Sequence, residues 1–65
     1  MIEYTNSQIS AVIDDVIHSD RDRRLLKRRY IDGICIEPLS EEFDLSVRQV
    51  RNIIKKHEGA IFKRL

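Results

Sequence analysis

Four side chains within five residues, Arg48, Gln49, Arg51 and Asn52, carry groups suited to pairing with nucleic-acid base edges and phosphates. A guanidinium presents a fork of donors, and a carboxamide sets a donor beside an acceptor. Val50, Ile53 and Ile54 interrupt the polar residues at helical spacing, so the two kinds fall on opposite sides of one helix. Lys55 and Lys56 follow immediately. Other chemistry has less to work with. Cys35 is the only cysteine and stands between Ile34 and Ile36, which points to a buried thiol, and neither His18 nor His57 lies near it in sequence. No glycine-rich phosphate loop is present, and the neighbouring Asp14 and Asp15 must point to different sides of a helix as solvated carboxylates. No catalytic residue, metal-ligand set, cofactor or small-molecule substrate is therefore expected.

Those residues need elements to hold them. Thr5-Asn6-Ser7 supplies capping oxygens, and Ile9, Val12, Ile13, Val16 and Ile17 then recur three and four apart, predicting a helix over about 6 to 18 with His18 in its last turn. Ser19 caps a second helix, with Asp22 three residues on. In that helix Leu25, Leu26 and Tyr30 face inward, and Asp32-Gly33 ends it. Pro38 fits the first turn of a short helix over about 37 to 43, with Leu39 and Phe43 on its buried side. Asp44-Leu45-Ser46 forms the turn, and Ser46 caps a final helix in which Val50, Ile53, Ile54 and Ile61 line one face. Gly59 weakens that helix and invites it to fray, bend or stop. The fold class is all-α, a small three- to four-helix bundle. Its two parts are an N-terminal amphipathic helix in residues 1–18 and a helix-turn-helix DNA-binding domain in residues 19–65.

Size and charge set the outer bounds. Sixty-five residues, 42% of them apolar, make one small core and exclude a multidomain enzyme. No apolar run is long enough to span a membrane, and no basic segment precedes an apolar one at the N-terminus, so a cytoplasmic address is expected. The net charge of +1 conceals a block pattern. Arg21, Arg23, Arg24, Lys27, Arg28 and Arg29 form one basic segment, and Arg48, Arg51, Lys55, Lys56, Lys63 and Arg64 the other. Acidic segments separate them, Glu37, Glu41, Glu42 and Asp44 among their residues. Such blocks either give one positive face or form an ordinary solvated surface.

A short helix, a tight turn and a capped helix with a polar outer face make a helix-turn-helix, whose second helix can enter a DNA major groove. The turn needs a residue tolerant of unusual backbone angles, here Asp44, and an apolar plug, here Leu45; Ser40 is small where the helices must approach. The segments Arg23-Arg-Leu-Leu-Lys-Arg-Arg-Tyr30 and Phe43-Asp-Leu-Ser-Val-Arg-Gln-Val-Arg-Asn-Ile53 resemble region four of the primary bacterial sigma factors. The similarity covers about residues 19 to 65, and small standalone proteins of phages and mobile elements are more similar still, through the run Glu-Glu-Phe-Asp-Leu-Ser-Val-Arg-Gln-Val.

The resemblance implies double-stranded DNA as partner. Val47, Arg48, Arg51 and Asn52 match base- and phosphate-contacting positions, Ser46 matches the cap, and Lys55 and Lys56 fall where the helix passes the backbone. Val47 replaces a family arginine, which removes one guanine contact, and Cys35 and Pro38 replace a threonine cap and a glutamate. His57 occupies a position usually alanine and reads as a half-buried space filler. Nothing in the chain resembles the sigma regions that bind the polymerase core and melt the promoter, so a complete sigma factor is not expected. Two readings of function follow: a sequence-specific transcriptional regulator, or an adaptor binding RNA polymerase or another transcription factor through Glu37, Glu41, Glu42 and an exposed Ile36. The stripe Ile9, Ile13, Val16, Ile17 serves either core packing or a homodimer seam.

Overall fold

The computed structural model describes residues 4–65. Met1, Ile2 and Glu3, part of the N-terminal stretch discussed above, lie outside the described residues. Four helices make up the chain: α1 (Asn6–Val16), α2 (Asp20–Tyr30), α3 (Ile36–Glu42) and α4 (Val47–Arg64), with no strand among the described residues. Side chains cap three of them. Thr5 Oγ1 accepts the Gln8 backbone N–H at 3.1 Å, and Gln8 Oε1 accepts the Thr5 N–H at 2.8 Å. Ser19 Oγ accepts from Asp22 N–H at 3.4 Å, and Ser46 opens α4. Each bond satisfies a donor that the helix geometry leaves free.

Element boundaries depart from the sequence-based expectation at α1. The helix stops at Val16 because Ile17 turns to extended backbone (φ −113°, ψ 123°) and drops into the core, leaving His18 exposed beyond the helix end. His18 thus does not sit in the last turn. Cys35 precedes α3 at the capping position, but its side chain makes no capping bond. The thiol is exposed, not buried, because neighbours along non-helical chain alternate sides: Ile34 and Ile36 pack towards the core and Cys35 between them faces out. Ile36 is accordingly half-buried rather than exposed. Helix α4 runs through Gly59 without interruption to Arg64.

All four helices feed one core. Ile13, Ile17, Leu25, Leu26, Leu39, Val50 and Ile61 are all but completely buried, and Ile9, Val12, Val16, Ile53 and Ile54 pack around them. The apolar stripe of α1 therefore faces this core. Helix α3 packs on α4, and α1 packs on both α2 and α4. Ion pairs tie α1 to α2 and α4, and α2 to α3: Lys27 to Asp14 at 2.7 Å, Arg64 to Asp15, and Arg28 to Glu42 through two bonds of 2.7 and 3.0 Å. Asp14 and Asp15 do point to different sides, yet each meets a cation on another helix. No helix among the described residues is long and apolar enough to cross a membrane.

Candidate nucleic-acid interface

The turn between α3 and α4 is built by backbone bonds. Leu45 N–H reaches Ser40 C=O at 2.9 Å and Asp44 N–H reaches Glu41 C=O at 3.4 Å, the pairing of a Schellman helix end. Such an end needs one left-handed residue, and Asp44 supplies it at φ 55°. Aspartate tolerates that region better than most non-glycine residues. Leu45 then packs against the core, and Ser40 is buried with its hydroxyl donating to Glu37 C=O at 2.6 Å. The apolar plug and the small residue occupy the places assigned to them from sequence.

Ser46 starts α4 with a reciprocal capping box. Its Oγ accepts the Gln49 backbone N–H at 3.1 Å, while Gln49 Oε1 accepts the Ser46 N–H at 2.9 Å. Beyond the cap, Arg48, Gln49, Arg51, Asn52, Lys55 and Lys56 are exposed and Val47 is half-exposed. Val50 and Ile61 on the opposite side are buried. The face is therefore presented by a helix anchored along its length.

Charge pairing separates the two basic blocks. In the first, Arg21, Arg23, Lys27 and Arg28 each lie within 4.0 Å of a carboxylate, on Asp22, Asp20, Asp14 and the pair Asp32 and Glu42 respectively. The Glu42 and Asp32 hydrogen bonds hold the Arg28 pKa above its ordinary value. In the second block only Arg64 is paired; among the described residues Arg48, Arg51, Lys55, Lys56 and Lys63 have no acid within 4.0 Å. Unneutralised positive charge thus concentrates along the outer side of α4.

One flank of that face is a groove of about 220 Å³. Arg29, Arg51 and Lys55 rim it with Glu58, over Ile36 and Ile54. Arg29 is held there by donating from Nη1 to Ile34 C=O at 3.1 Å. Nearby, Phe62 remains 57% exposed and meets Tyr30 edge-on, with ring centroids 5.9 Å apart. Burial and the charge of Glu58 raise the Tyr30 pKa.

Comparison with family models, curated proteins and solved structures yields no match. What the face can do is set by its own chemistry.

Sequence reasoning missed one contact behind the interface. His57, taken as a space filler, places Nε2 2.9 Å from Asp22 Oδ2, with side chains only 15% and 8% exposed. This is the one side-chain hydrogen bond between α2 and α4 among the described residues. Burial acts to raise the Asp22 pKa, but hydrogen bonds from His57 and Arg21 and their charges outweigh it, and the carboxyl lies below its ordinary value. The 35 residues between the partners hide the pair from any local pattern. A polar residue on the apolar side of each helix was the available signal.

Proposed function

We propose that this protein is a sequence-specific DNA-binding transcriptional regulator of the sigma region-four type, with α4 entering the major groove. The carrying observation is the run of exposed cations on α4 that, among the described residues, have no acid within 4.0 Å, on a helix fixed by its cap and core. DNA carries closely spaced negative charge, and its major groove is wide enough to admit an α-helix. Arg51, Lys55 and Lys56 serve the phosphates, and α3 braces α4 through the Asp44 turn. A bacterial, cytoplasmic setting, with origin in a phage or mobile element, belongs to the same reading, as does contact with RNA polymerase.

Binding of a labelled duplex followed by fluorescence anisotropy over a range of salt tests this directly. Three phosphate contacts give a log–log salt slope of about −3, and Arg51→Ala lowers its size by about one. Absence of binding at low salt, or an Arg51→Ala protein that behaves like the parent, would refute the proposal. The groove over Ile36 and Ile54, with Phe62 exposed beside Tyr30, favours a second reading, an adaptor for polymerase or another transcription factor. Such a protein co-purifies with its partner and ignores oligonucleotides.

A further inference from the structure

The capping box changes which residues can read a DNA sequence. A glutamine recognises adenine by setting its carbonyl against N6 and its amide against N7, side by side. Gln49 cannot present that pair outward, because its Oε1 is turned back onto the Ser46 N–H at 2.9 Å. Arg48 and Asn52 are under no such constraint: both are exposed, and among the described residues neither side chain has a hydrogen-bond or ion-pair partner. Being four apart, they are neighbours on one helix face, separated by about 6 Å along the axis. Base pairs stack about 3.4 Å apart, so the two side chains span one to two steps. A guanidinium matches O6 and N7 of guanine, and an asparagine amide matches N6 and N7 of adenine. Val47, half-exposed at the first helical position, brings methyl groups of the kind that pack on the thymine methyl.

We infer that the target contains a guanine and an adenine one to two base steps apart, read by Arg48 and Asn52, while Gln49 serves the helix cap alone. The inference rests on the DNA-binding reading above. Its chemistry is local: Arg51 and Lys55 line the flanking groove and neutralise phosphates, so they add affinity without selecting bases.

The test is selection of bound duplexes from a random library by the full chain and by Arg48→Ala, Asn52→Ala and Gln49→Ala. Circular dichroism establishes that each is folded at the selection temperature. The parent enriches one motif with guanine and adenine at that spacing. Arg48→Ala relaxes the guanine and Asn52→Ala the adenine, each losing roughly five- to a hundred-fold in preference. Gln49→Ala leaves the motif unchanged and lowers the thermal midpoint, and Gln49→Glu, which can rebuild the box, restores the midpoint with the same motif. A motif that loses a position in Gln49→Ala, or stays intact in Asn52→Ala, overturns the base assignment and leaves DNA binding standing. No enrichment together with no salt-sensitive binding overturns both.

Discussion

Asp22 is held by partners from two directions, Arg21 beside it and His57 from α4 at 2.9 Å. Its folded pKa lies below the ordinary 3.8, so its carboxylate contributes stability that is fully present above that value and is lost as pH falls through the lowered one. Stability against unfolding should therefore fall below about pH 4, and Asp22→Asn should flatten that part of the profile. An unchanged acid limb in Asp22→Asn would show that the pair carries no linkage. At pH 7, Asp22→Ala leaves the His57 ring without its acceptor and costs about 1–3 kcal/mol. Residues whose role depends on near neighbours, Ser46 as cap and Asp44 as the left-handed turn residue, were legible in sequence. His57 was not, since its partner arrives from another helix.

At the scale of the element, α4 is an 18-residue helix and so about 27 Å long, carrying the whole candidate face. Helical periodicity placed those residues on the exposed side of one helix because the alternation of apolar and polar residues every three to four positions is a property of the chain alone. The same local reasoning left α4 open to fraying, bending or stopping at Gly59. Helix propensity is a weak term, about 1 kcal/mol at one glycine, and burial of Ile61 beyond it is larger. A Cβ built on Gly59 meets nothing within 4 Å. Gly59→Ala should thus raise unfolding stability by about 0.8–1 kcal/mol with DNA affinity unchanged, measured by urea denaturation and anisotropy. No gain would mean that the last turns of α4 are not helical in solution.

For the whole molecule, the question is whether α1 is an appendage or part of the fold. Ile13 and Ile17 are fully buried beside Leu25, Leu26, Leu39, Val50 and Ile61. A domain this small has only about 3–5 kcal/mol of net stability, and Ile13→Ala removes about 2–5 of it. Ile13→Ala should be largely unfolded at 25 °C by circular dichroism, and a fragment of residues 19–65 should show no cooperative transition. A fragment that melts cooperatively would restore the division at residue 18 and free the α1 stripe for a homodimer.

Taken by itself, the chain's order of residues determined the presence and order of the four helices, the side-chain caps of three of them and the turn, because each of these is decided within a few residues by hydrogen bonding and backbone sterics. It also determined which groups line the outer side of α4. Only the tertiary structure decided which charges remain available. Lys27 finds Asp14, Arg28 finds Glu42, Arg64 finds Asp15 and His57 finds Asp22 across helix junctions. Coulombic pairing depends on distance in space, and packing the four helices around one core brings remote segments within reach while leaving Arg48, Arg51, Lys55 and Lys56 facing outward.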